Sequence, residues 1–198
     1  MNIQAISIYN YQSSRYKYQT KPVFNGIFSK TKSLSKLNIG SLPDGIIGQV
    51  KVLNKNGKEV VFDVLKHVEE SGLEIYEIHD KRGNNLGEIE FKPTIEGNTK
   101  HIWVEHLVNH SSLYHKYRNE SLGNYTGIGT RLMQIALKRS KEAGCNGDIE
   151  LFTTKTGKDF YKKIGLKDYL SDYSYYQQHK MYLPEENKEF LANRYGGL

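Results

Sequence analysis

Two glycines two residues apart, in Asn124-Tyr125-Thr126-Gly127-Ile128-Gly129-Thr130, open a stretch whose apolar residues recur with helical spacing. Ile128, Leu132, Ile135, Ala136 and Ala143 share one face, and Arg131, Lys138, Arg139 and Lys141 interrupt it as expected of a half-exposed helix. A Gly-rich turn feeding a helix leaves backbone N–H groups unpaired at the positive end of the helix dipole. That arrangement holds phosphate or pyrophosphate without a dedicated side chain. Gly127 and Gly129 are expected to let the backbone approach the anion where a Cβ would stand in the way. The P-loop pattern is not met, because Ile128 follows Gly123 at the fifth place and no Lys-Ser/Thr pair comes after it. The dinucleotide fingerprint is not met either, since Leu132 stands where its third glycine belongs.

Beyond the helix, Gly144-Cys145-Asn146-Gly147 reads as a turn and Asp148 to Thr154 alternates like a strand. Lys155 to Ile164 then reads as a short helix ending at Gly165, a left-handed cap. In this order the chain resembles the GNAT superfamily of N-acetyltransferases. Their pyrophosphate loop, Arg/Gln-x-x-Gly-x-Gly/Ala, corresponds to Asn124-x-x-Gly127-x-Gly129. Their aromatic signature corresponds to Phe160-Tyr161-Lys162-Lys163-Ile164-Gly165-Leu166. The resemblance runs from Ile75 to Pro184. Asn124 departs from it, removing side-chain help to the phosphates but not the backbone cradle.

The resemblance implies an α+β, GNAT-like fold with a mixed, mostly antiparallel sheet and flanking helices. It also implies acetyl-CoA as co-substrate and an amine, of a small molecule or a protein, as acceptor. On this alignment the cofactor-binding positions are Leu107, Val108, Asn109, Asn124, Tyr125, Thr126, Gly127, Ile128, Gly129, Thr130, Thr154, Gly157 and Phe160. Direct transfer needs the amine to lose a proton and the leaving thiolate to gain one. Tyr161 matches the general acid, and a phenol near pKa ~10 serves a thiolate near ~8.5 only if held close. Glu105 matches the usual carboxylate base and shares its strand face with Trp103, whose apolar bulk is expected to raise its pKa. Glu150 is a further candidate. A catalytically silent module that binds CoA or a partner is the alternative.

The rest of the chain must position these groups. Residues 1–43 carry six basic residues and no acid, while the remainder balances 22 bases against 22 acids. The overall charge of +6 therefore belongs to a tail, rich in Ser, Asn, Gln and Tyr and expected to be disordered, with residues 44–198 as the domain. Contact with nucleic acid or an anionic surface is the functional reading of that tail; a solvated leader is the plainer one. No apolar run reaches the ~20 residues of a membrane span, and one cysteine, Cys145, suits a reducing cytoplasm. Cys145 reads as a packing residue.

Strand patterns occupy Ile47–Leu53, Glu59–Val68, Leu73–His79, Leu86–Lys92 and Lys100–Asn109, an antiparallel meander, and Tyr169–Leu183 reads as a last hairpin. Strict alternation in the fifth strand puts Ile102, Val104, His106 and Val108 on one face, and His101, Trp103, Glu105 and Leu107 on the other. On that pattern His106 and Glu105 cannot serve one site. The two helices that GNAT domains place between their first strands have no counterpart here. The His- and Tyr-rich insert at 110–125 (His110, Tyr114, His115, Tyr117) is expected to supply the missing roof. Its histidines lack acidic or cysteine companions at ligand spacing, so no metal site is expected.

Overall fold

The fold was obtained as a computed structural model, which describes residues 39–41, 44–111, 125–169 and 178–198. The N-terminal half is the expected meander. β1 (Gly45–Asn54) turns at Gly57 into β2 (Glu59–Val68), followed by β3 (Glu74–His79), β4 (Asn85–Glu96) and β5 (Thr99–Asn109). Asn54 fixes the first hairpin by accepting at Oδ1 from the N–H groups of Asn56 and Lys58. β6 (Tyr125–Thr126) leads into α1 (Ile128–Glu142). β7 (Ile149–Thr154), α2 (Lys155–Lys163), β8 (Lys167–Asp168), β9 (Gln178–Tyr182) and α3 (Glu185–Asn193) follow. The described strands form one sheet in the order β6-β1-β2-β3-β4-β5-β7-β9-β8. β5 and β7 pair in parallel, as a strand–helix–strand crossover through α1 requires, and the other pairs are antiparallel. The α+β class, with a mixed and mostly antiparallel sheet, is as expected.

α1 lies on one face of this sheet, where Val64, Tyr76, Ile78, Ile89, Phe91, Ile102 and Leu151 meet Ile128, Leu132, Ile135 and Ala136 in the core. α2 lies on the same face, with Gly157 close against Thr153. α3 packs beside α1 through Leu191. Among the described residues, no helix covers the opposite face. None is long and apolar enough to cross a membrane.

Three features differ from the sequence pattern. First, α1 is not half-exposed: every residue from Ile128 to Leu137 is buried, Arg131 and Gln134 included. The C-terminal segment covers its polar side. Arg131 donates to the carbonyls of Lys51, Tyr195 and Gly197, and Gln134 to those of Leu191, Ala192 and Arg194. Arg139 is likewise engaged, by the Glu74 carboxylate at 2.7 Å. Second, the last hairpin begins two residues before Tyr169: β8 and β9 pair antiparallel at Lys167↔Tyr182 and Asp168↔Met181, and α3 follows Pro184. Third, Ile39–Ser41, assigned to the tail by composition, forms a 3-10 turn whose Ile39 is fully buried in the core. The N–H groups of Ile39 and Gly40 donate to Glu142 at 3.0 and 2.7 Å.

Candidate active site

The site begins with a break in pairing. β5 and β7 are hydrogen-bonded only at Ile102↔Ile149, Trp103↔Glu150 and Val104↔Leu151. On its other edge β5 stays paired to β4 as far as Asn109↔Gly87, and β7 stays paired to β9 as far as Thr154↔Gln178. Past Val104 and Leu151 no pair joins the two strands, and the slot is this unpaired stretch between Glu105–Asn109 and Phe152–Thr154. The cause lies in β5: Phe91 pairs with Val104 and Glu90 with His106, so Glu105 is the extra residue of a β-bulge. A bulge bends its strand and sharpens the twist, and this one falls immediately after the last β5–β7 pair.

The bulge also corrects the face assignment. Residues directly opposite in an antiparallel pair share a face. His106 opposite Glu90 and Val108 opposite Glu88 therefore lie on the helix-free face, while Leu107 opposite Ile89 packs against the core. Strict alternation had placed them the other way, because it carries no sign of an inserted residue. His106 and Glu105 consequently stand on the same face.

Two helix ends bridge the slot on the core side. The first turn of α1 sits over the β4–β5 pair: a Cβ at Gly87 would lie 2.6 Å from Ile128 Cγ2 and 2.7 Å from the Val108 carbonyl oxygen. The first turn of α2 sits over β7, where a Cβ at Gly157 would lie 2.5 Å from Thr153 Oγ1. The helices meet at Gly129, whose absent side chain leaves room for the Phe160 ring, 2.9 Å from where a Cβ would be. Gly129 is thus required by the packing of Phe160. Gly127 is required by its backbone, since it caps α1 at φ 101° without a side-chain hydrogen bond. The N–H groups of Ile128, Gly129 and Thr130 precede the first intrahelical bond, which runs from Arg131 N–H to the Gly127 carbonyl. No acidic residue occupies that first turn.

The remaining expected positions fall as follows. Tyr125 joins β6 to β1 and stacks edge-on against Phe62 at 4.8 Å. Thr126 is exposed and Thr130 buried. Thr154 is the N-cap of α2, accepting from Gly157 N–H at 3.4 Å. Leu107, Val108 and Asn109 form the β5 edge of the slot, and Asn109 Oδ1 accepts from Ser111. Asn124 lies outside the described residues, as do Tyr114, His115 and Tyr117.

Tyr161 is 8% exposed, packed in the core beside Phe160 with ring centroids 5.0 Å apart. Burial pushes its phenol up to about 12. Among the described residues no group hydrogen-bonds its hydroxyl. Glu105 is exposed on the helix-free face and held by Lys92 at 2.9 Å. The Trp103 ring, expected to crowd Glu105, is packed edge-on against Phe152 at 5.2 Å. Glu150 sits in the paired part of β7. It accepts from Tyr169 and faces Lys180 at 2.9 Å, and these contacts hold its carboxyl below the usual range against the opposing effect of burial. Glu150, Glu96 and buried His101 could together ligate a cation, but the Lys180 ammonium already lies between the two carboxylates, 3.8 Å from Glu96. Cys145 is buried with its thiol pushed up by desolvation. The sequence reading missed Arg131 and Gln134 as anchors of the C-terminal segment, because a charge inside a helical pattern carries no mark of the carbonyls it meets.

No family model matches the chain, and no curated protein matches it in sequence. Among solved structures the fold is similar to a candidate acyl-CoA N-acyltransferase of Klebsiella pneumoniae, at TM-score 0.44 and 13% identity over 60% of this chain and 76% of that one. It is similar to a GNAT-family acetyltransferase of Staphylococcus aureus, at TM-score 0.42 and 17% identity over 59% of this chain and 70% of that one. A nourseothricin acetyltransferase matches at TM-score 0.42 and 17% identity, over 69% and 84% of the two chains.

Proposed function

We propose that this protein is an acetyl-CoA-dependent N-acetyltransferase that passes the acetyl group directly from the thioester to an amine. The observation that carries this reading is the slot between β5 and β7, bridged by the Gly129–Phe160 contact. That contact joins the glycine loop to the aromatic signature. The separated strand edges offer backbone N–H and C=O groups with no strand partner across the slot among the described residues. Unpaired strand edges of this kind are ready to form hydrogen bonds with an added extended chain. An extended arm bearing amides, such as pantetheine, supplies them as an added strand would, along Leu107, Val108 and Asn109. The pyrophosphate would meet the N–H groups of Ile128, Gly129 and Thr130 at the positive end of α1.

Tyr161 is the proton donor in this reading. Its phenol stays protonated at neutral pH, and it has a hydroxyl to spare. The dry surroundings that raise it also raise a thiolate placed beside it, so the two remain matched. The amine proton would pass to a carboxylate on the helix-free face; Glu105, the residue the resemblance offers, stands there at the bulge but is already held by Lys92 at 2.9 Å.

One observation favours a second reading, a module that binds CoA without turnover: no described helix roofs the face on which an acceptor would sit. A single experiment separates the two. Acetyl-CoA at a hundredfold excess over its dissociation constant should stabilise the protein by about 2.7 kcal/mol. Thiol release should then follow with at least one member of an amine panel. Stabilisation without release on any amine supports the binding module, and absence of both refutes a CoA site in the slot.

A further inference from the structure

The helix-free face of the sheet carries a row of carboxylates, and nearly all are already engaged. Asp63 accepts from Gln49 at 2.9 Å. Glu77 accepts from Asn85 at 3.0 Å and faces His79 at 3.1 Å and His67 at 3.4 Å. Glu88 accepts from Asn85 at 2.9 Å, with His110 at 3.9 Å. Glu105 is held by Lys92, and Glu150 by Lys180 and Tyr169.

Glu90 is the exception. Among the described residues, no side chain or backbone group forms a hydrogen bond or ion pair with its carboxylate. It is half-buried, flanked in register by Ile75 of β3 and by His106 of β5. The Glu90–His106 pair is the one adjoining the bulge, so Glu90 stands at the level where the slot opens. The charged groups around it are Glu88 on its own strand, Glu69 after β2, and Glu105 and His106 on β5; Lys92, two residues along, is committed to Glu105. Desolvation pushes the Glu90 carboxyl up, with His106 opposing and the neighbouring carboxylates adding to the effect.

We infer that Glu90, rather than Glu105, takes the proton from the acceptor amine. This rests on the acetyl-transfer reading. A general base must present a free lone pair to an N–H. At Glu105 the incoming proton would compete with the Lys92 ammonium in direct contact; at Glu90 no hydrogen-bond or ion-pair partner among the described residues has to be displaced. As the amine nitrogen bonds to the thioester carbonyl carbon, its proton passes to the Glu90 carboxylate. The C–S bond breaks with its electron pair going to sulfur, which takes the Tyr161 proton. Glu90 then releases its proton to water and the Tyr161 phenolate regains one.

The test uses the full chain, an amine identified by thiol release from acetyl-CoA, and kcat/KM measured from pH about 5 to about 9. Glu90→Gln should lower kcat/KM by about 10²–10⁴-fold and remove the acid limb of the profile. Acetyl-CoA affinity, read by thermal shift, should be unchanged. Glu90→Asp should recover part of the rate and restore an acid limb, and Glu105→Gln should keep the limb. Wild-type rate and acid limb in Glu90→Gln, with both lost in Glu105→Gln, would overturn the assignment and leave the acetyl-transfer reading intact. Absence of turnover by wild type across the amine panel would overturn both.

Discussion

The Phe160 ring fills the space that a side chain at Gly129 would need, so the loop at the start of α1 and the aromatic pair of α2 are one packed unit. A Cβ there would lie 2.9 Å from Phe160 Cζ and 3.2 Å from Cε2. Gly129→Ala is expected to lower stability by about 1–3 kcal/mol through overpacking. The helix-propensity gain of about 1 kcal/mol for leaving glycine offsets only part of that. Phe160→Leu should destabilise wild type but restore part of the melting temperature of Gly129→Ala, a coupling read from a double-mutant cycle. A Gly129→Ala protein that melts at or above wild type would show that the ring yields freely, and that the two signatures are not mechanically joined.

Tyr161→Phe separates chemistry from packing. The ring is buried, yet its hydroxyl has no hydrogen-bond partner among the described residues, so removing the oxygen leaves no buried group unsatisfied. Melting temperature is expected to hold or rise. Turnover on a good acceptor should fall by about 10²–10⁴-fold with acetyl-CoA affinity little changed. Equal turnover by the variant would remove Tyr161 from the mechanism.

Most of the scaffold was legible in the sequence, because hydrophobic period and turn residues act locally. Glu59–Val68 is recovered to the residue, and Gly165, at φ 103°, ends α2 where a left-handed cap was expected. What remained hidden depends on partners distant in the chain. Nothing local to Arg131 announces Tyr195 and Gly197. An acid-free segment ending near Pro43 does not reveal that Ile39 fills a core position. The bulge at Glu105 was equally silent: one inserted residue in an alternating strand leaves the pattern readable but reverses every face after it. The candidate site inherits that reversal, since His106 moves to the helix-free face and Leu107 to the core.

The helix-free face should also be visible in the pH dependence of stability, with opposite signs at two glutamates. The His79 hydrogen bond, helped by the charges of His79 and His67, holds the Glu77 carboxyl below its ordinary 4.5 despite burial. Its contribution is therefore present above pH 4.5 and is lost as pH falls through the lower folded value. Glu90 is raised, so its contribution is present below 4.5 and is lost as pH rises through the higher folded value. In urea titrations, the advantage of wild type over Glu77→Gln should shrink on acidification, whereas wild type should gain on Glu90→Gln. The same trend in both variants would contradict the opposed environments of the two groups.

The turn at Ile39–Ser41 sets where the folded unit begins. Ile39 is fully buried, its N–H and that of Gly40 are held by Glu142, and Lys66 Nζ donates to its carbonyl at 3.4 Å. A chain beginning at Asp44 loses all of these contacts, whereas one beginning at Thr31 keeps them. The shorter chain is expected to be less stable by about 2–5 kcal/mol, the range for emptying a large aliphatic site. Ile39→Ala in the full chain should fall in the same range. At about 2–4 °C per kcal/mol for a protein of this size, the difference is readily measured by melting. Acetyl-CoA affinity should be the same in both truncated chains, because the turn packs at the Glu142 end of α1, about 20 Å along the helix from Gly127. Equal melting of the two chains would show that Ile39 is dispensable. A loss of affinity at equal stability would place the turn in contact with the ligand site.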